Sequence, residues 1–142
     1  MAGVIVVGVG GDGSGVKAAH LAARVANLMG AALVLVFGYE AQALGPRGGV
    51  LEEEIAAVGS AALVPLKDAL KAEHPQLDVS IELVHDRPVE SLIRMADERR
   101  AELIVVGHGG NGPLKGALLG SITYEIVHRA PLPVLVVPEG DD

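Results

Sequence analysis

The residues whose types and spacing could do chemistry in this chain are mostly glycines. An apolar run from Leu103 to Val106 breaks into Gly107-His108-Gly109-Gly110-Asn111-Gly112, and Gly120-Ser121-Ile122 then opens an amphipathic segment. That order reads as a buried strand, a glycine loop and the start of a helix. Glycine lets a backbone approach a ligand closely and adopt positive φ, and the free N–H groups of a helix start, helped by the helix dipole, suit an anion. The local chemistry is that of a phosphate cradle. Lys115 lies inside the loop, where its charge could meet a phosphate, and His108 could touch a phosphate or a ribose.

A second glycine stretch, Gly8-Val9-Gly10-Gly11-Asp12-Gly13-Ser14-Gly15, follows another β-branched run. It contains Gly8-x-Gly10-x-x-Gly13, the dinucleotide fingerprint between a strand and a helix. Such a site also wants an acid about 20 residues further on, at the end of the second strand. The nearest candidate, Glu40, lies further along and beyond that strand. A P-loop is excluded, because Gly10-x4-Gly15 is followed by Val16-Lys17 rather than Lys-Ser or Lys-Thr. The five histidines show no metal-ligand spacing, and no serine sits in a Gly-x-Ser-x-Gly motif, so the expectation is binding without an intrinsic metal site or a catalytic constellation.

The elements that must position these loops are legible in the hydrophobic pattern. Val4 to Val9, Ala32 to Phe37, Glu102 to Gly107 and Pro133 to Val137 are apolar runs, and Asp78 to His85 alternates as an edge strand does. Helical spacing follows Gly15 and ends at Gly30, and it recurs from about Val50 to Glu73, with Pro65 as an interruption. Pro88 opens a third helix, in which Glu90 and Arg94 form an i,i+4 pair, and Ser121 caps a fourth. Gly38 to Gly49 reads as a loop. The alternation β-α-β-α-β-α-β-α-β predicts one α/β domain over residues 1–142. It is a doubly wound five-stranded parallel sheet in order 3-2-1-4-5, with helices on both faces. The two glycine loops, after strands one and four, then flank the topological switch point.

Composition narrows the function. A net charge of −7 and only three aromatic residues argue against nucleic acid and anionic membranes. With no cysteine there is neither a disulfide framework nor a thiolate. The N-terminal apolar run is too short for a membrane span and lacks a basic flank, which reads as a cytoplasmic protein.

The spacing Gly107-x2-Gly110-x9-Gly120-Ser121 resembles the nucleotide-binding signature of the universal stress protein family, in its ATP-binding branch. The closing segment Arg129-Ala130-Pro131-Leu132-Pro133-Val134-Leu135-Val136-Val137-Pro138 is similar to that family's as well. The resemblance implies ATP as ligand, with Mg²⁺ carried on its phosphates. It also implies backbone N–H contacts to phosphate from Gly107, Gly110, Gly120, Ser121 and Ile122, and adenine contacts at the end of strand two from Val36, Phe37 and Gly38; Gly10, Asp12, Val106 and His108 complete the candidate nucleotide-binding set. The family's Asp-Gly-Ser at the end of strand one falls on Gly10-Gly11-Asp12, while Asp12-Gly13-Ser14 comes two residues later. Asp12 therefore takes the adenosine-contacting role in a longer loop, or caps the first helix.

The resemblance further implies a homodimer joined through Val134, Leu135, Val136 and Val137, an apolar run that would otherwise be an exposed edge. It also implies a nucleotide-dependent regulatory module in stress response. The alternatives are a slow Mg²⁺-dependent ATPase and a structural dimer without nucleotide.

Overall fold

The computed structural model describes residues 3–11, 13–40, 48–109 and 120–138. Its elements alternate as expected: β1 (Val4–Gly8), α1 (Val16–Met29), β2 (Ala32–Tyr39), α2 (Gly48–Glu73), β3 (Val79–His85), α3 (Pro88–Glu98), β4 (Leu103–Gly107), α4 (Ser121–Arg129) and β5 (Val134–Val137). All four strand pairings are parallel and the order is β3-β2-β1-β4-β5.

The central strands are buried on both faces, which is why they read as unbroken Val/Ile/Leu runs. Ile5, Val7, Leu33, Leu35 and Val105 face α1 and α2, where they meet Ala18, Ala22, Ala26, Leu63 and Leu70. Val6, Val34, Val36, Ile104 and Val106 face α3 and α4, where they meet Val89, Leu92, Met95 and Ile126. Fully burying one such side chain contributes about 1.5–3 kcal/mol. The fully buried residues of α1 are all alanine, with Val16, Leu21 and Val25 packed at the margin, so that helix can lie close against the sheet.

Several local expectations are corrected. β2 runs on through Gly38 and Tyr39, because β3 pairs beside it as far as Tyr39↔His85. Gly38 is therefore strand rather than loop. Pro65 does not interrupt α2, which continues from Gly48 to Glu73. Leu63, Leu66 and Leu70 bury the flanking turns, and that packing outweighs one lost helical hydrogen bond. Glu90 does not pair with Arg94. Arg94 reaches Asp86 at 3.4 Å and Glu98 at 4.0 Å, while Glu90 takes Arg129 of α4 at 2.6 Å and Arg87 at 3.3 Å. The cap positions fall to glycine: Gly15 precedes α1 and Gly120 precedes α4, neither with a side-chain cap. Ser121 is thus the first helical residue, and Gly15 is the residue before α1; Asp12 lies outside the described residues.

From β1 the chain moves outward through β2 to β3, and then returns to the other side of β1 for β4 and β5. A crevice opens where the direction reverses, beyond the C-terminal ends of β1 and β4.

Candidate nucleotide cleft at the switch point

Three groups of residues line that crevice. Gly8, Val9, Gly10, Ser14 and Gly15 come from the end of β1 and its loop; Val36, Phe37 and Gly38 come from β2, with Pro88 and Leu92 of α3 behind them. The far wall is Val106, Gly107 and Gly109 from the end of β4 with Ile122 and Thr123 of α4. The interior measures about 140 Å³, roughly ten times the space one water molecule needs.

The first loop is folded tightly by its own backbone. Val9 N–H donates to the Val36 carbonyl at 2.9 Å, Gly10 N–H to the Ser14 carbonyl at 2.8 Å, and Gly13 N–H to the Gly10 carbonyl at 3.1 Å. Gly15 sits at φ 85°, and a Cβ there would run into the Gly8 carbonyl. Only glycine lets the start of α1 come this close to the end of β1.

The β4 side is built in the same manner. His108 N–H donates to the Val137 carbonyl at 2.8 Å and Gly120 N–H returns to the His108 carbonyl at 3.0 Å. Thr123 Oγ1 donates to the Gly107 carbonyl at 2.7 Å, which seats the first turn of α4 on the strand end. A Cβ on Gly120 would lie 2.5 Å from the Gly109 carbonyl oxygen. The first helical bond of α4 runs from Tyr124 N–H to the Gly120 carbonyl. The N–H groups of Ser121, Ile122 and Thr123 therefore have no partner within the helix and gather at its positive end.

The β2 wall is apolar. Val36 and Gly38 face the α3 layer, and a Cβ on Gly38 would collide with the buried Ser91 hydroxyl, which donates to the Arg87 carbonyl at 2.8 Å. Since Val9 N–H reaches the Val36 carbonyl, strand alternation turns the N–H and C=O of Gly38 to that same side, where β1 has given way to its loop. Phe37 points into the opposite layer, its ring pressed against the bare backbone of Gly59 in α2 and facing Gly11.

Of the residues expected from sequence, the structure brings Gly10, Phe37, Gly38, Val106, Gly107 and Ile122 into one cleft. Gly120 and His108 support its rim through backbone bonds, and Ser121 stands at the helix start. Asp12, Gly110 and Lys115 lie outside the described residues. Sequence reading missed Gly109, Thr123, Pro88 and Leu92. A usable signal existed for Pro88: in a parallel sheet each helix starts at the C-terminal end of the strand before it, so the first turn of α3 had to reach this rim.

Among the described residues the lining holds no ionisable side chain. What can meet an anion there, among the described residues, is the backbone N–H groups and the α4 dipole. Nor does any cluster of three or more His, Asp or Glu suited to a metal occur among the described residues, and no helix is long and apolar enough to cross a membrane.

Comparison with known proteins agrees with this architecture. A universal stress protein of Mycobacterium tuberculosis (strain H37Rv) is 32% identical over 138 residues, spanning 94% of each chain. A universal stress protein solved in complex with cAMP superposes with a TM-score of 0.75 and 29% identity, covering 95% of this chain and 96% of the other. One from Archaeoglobus fulgidus shares the fold with a TM-score of 0.76 and 22% identity, covering 96% and 94%. The model of the universal stress protein family matches residues 1–138. The chain belongs to the universal stress protein family.

Proposed function

We propose that the switch-point cleft binds an adenine nucleotide, and that the protein is a nucleotide-dependent regulatory module. The observation that carries this reading is the start of α4, where the N–H groups of Ser121, Ile122 and Thr123 face a glycine-built rim with no side-chain cap in the way. In this reading phosphate sits at that helix start and the base lies along the β2 wall. The Gly38 N–H and C=O form an adjacent donor and acceptor for the amino-pyrimidine edge, with Val36, Pro88 and Leu92 supplying apolar contact. ATP is the nucleotide proposed, its Mg²⁺ arriving on the phosphate oxygens. The solved relative holding cAMP favours a second reading, a cyclic monophosphate on the same helix start. We propose also a homodimer through β5.

Calorimetric titration of nucleotide-stripped protein with MgATP, AMP, cAMP and NAD tests the reading. Saturable binding of MgATP or cAMP at micromolar affinity, with NAD far weaker, is the expected result. Preference for NAD would shift the site to the Gly8-x-Gly10-x-x-Gly13 fingerprint, and no binding to any of them would overturn the proposal.

A further inference from the structure

We propose that the Glu90–Arg129 ion pair is a positioning latch, tying the C-terminal end of α4 to the first turn of α3 and so fixing the spacing of the two walls that grip the nucleotide. The latch rests on the nucleotide reading of the cleft. Glu90 stands between Pro88 and Leu92, which line one wall, and Arg129 ends the helix whose Ile122 and Thr123 line the other.

The geometry is specific. One guanidinium nitrogen of Arg129, Nη2, meets Glu90 Oε2 at 2.6 Å, while Nη1 meets Glu125 Oε2 at 2.6 Å. Arg87 Nη2 approaches the other Glu90 oxygen at 3.3 Å. A planar guanidinium held by two carboxylates is fixed in orientation as well as position. In keeping with this, the Arg129 hydrogen bond, with the nearby Arg129 and Arg87 charges, holds the Glu90 carboxyl below its ordinary range. The Arg129 guanidinium is held above its own by Glu90 and Glu125.

α4 depends on such a tie because its seat is thin. Of its nine residues only Thr123 and Ile126 are buried. The Thr123 hydroxyl anchors the first turn and Ile126 the middle, but the last turn offers the sheet no buried side chain. Solvent-exposed ion pairs contribute little to global stability, so the fold does not require this one. A cross-link between two helices that each carry a wall acts on the tilt of α4, and with it on where three N–H donors point.

The experiment compares Arg129→Gln, Glu90→Gln, the double variant and Glu125→Gln. MgATP and cAMP are titrated at low and high salt, and amide exchange is followed in the unliganded protein. Each of the first two variants is expected to lower affinity about three- to tenfold at low salt. The double variant binds no more weakly than either single one, because both remove the same contact. Glu125→Gln keeps the cross-helix pair and stays within twofold of the original affinity. The gap between original and variant narrows at high salt as the pair is screened. In the unliganded protein, exchange at Tyr124 and the amides that follow it in α4, which are held by helical bonds, speeds up in Arg129→Gln and Glu90→Gln but not in Glu125→Gln. Unchanged affinity with unchanged exchange, or additive losses in the double variant, overturns the latch. If the unmodified protein binds no nucleotide, the cleft reading fails, and the exchange data alone then decide whether the latch holds α4.

Discussion

Gly120 and Gly30 separate two reasons for a glycine. At Gly120 the backbone is extended, with φ −65° and ψ 160°, which any residue tolerates. What excludes a side chain there is the Gly109 carbonyl, 2.5 Å from where a Cβ would sit. Gly30 is the reverse case: φ is 68° and a Cβ would find nothing within 4 Å. Gly120→Ala should push the β4 loop away from the start of α4, lowering nucleotide affinity at least tenfold and costing about 1–3 kcal/mol of stability through overpacking. Gly30→Ala should cost about 1–2 kcal/mol from left-handed strain alone, with affinity unchanged. Paired thermal melts and titrations check both. Equal affinity losses in the two variants would mean that the rim is not a close-packed cradle.

At the scale of elements, what the sequence made legible was what local pattern controls. β1, β2 and β4 were found because strands covered on both faces must be apolar throughout, and α1 was bounded because Gly30 closes it with N–H bonds to Ala26 and Asn27. The glycine rim was legible for the same local reason. What escaped depended on partners distant in the chain. Gly38 and Tyr39 looked like turn residues until β3 paired with them; Glu90 had a good helical neighbour in Arg94 until α4 brought Arg129 nearer; Pro88, Leu92 and Thr123 entered the cleft only through the topology.

Pro65 belongs here too. Proline in a helix interior costs about 3 kcal/mol in isolation, yet α2 carries it on an exposed position between buried Leu63 and Leu66. Because α2 stays continuous across Pro65 with tertiary contacts on both sides, Pro65→Ala should regain about 1–3 kcal/mol and leave ligand affinity unchanged, as denaturant unfolding and nucleotide titration will show. A loss of stability instead would mean that α2 is shaped by a kink its packing requires.

The whole molecule leaves one edge of its sheet in an exposed register. Ile104 N–H donates to the Pro133 carbonyl at 3.0 Å and His108 N–H to the Val137 carbonyl at 2.8 Å, so positions 133 and 137 face β4. Alternation then turns the N–H and C=O of Val134 and Val136 to the open side, opposite β4. The other edge, β3, carries an ion pair between its Glu82 and Arg99 at the end of α3, a charge of the kind that discourages strand pairing, whereas β5 is four apolar residues, Val134 to Val137. The proposed homodimer uses those outward groups. Val136→Pro removes one outward N–H without touching a bond to β4, and proline is tolerated on an edge strand. The unmodified protein should run in light scattering at about twice its 14.5 kDa chain mass, and Val136→Pro at the mass of one chain, with a cooperative melt retained. A monomeric unmodified protein at tens of micromolar, or a Val136→Pro variant that still dimerises, would rule out pairing through β5 and direct attention to the exposed Ile122, Tyr124 and Val127 on α4.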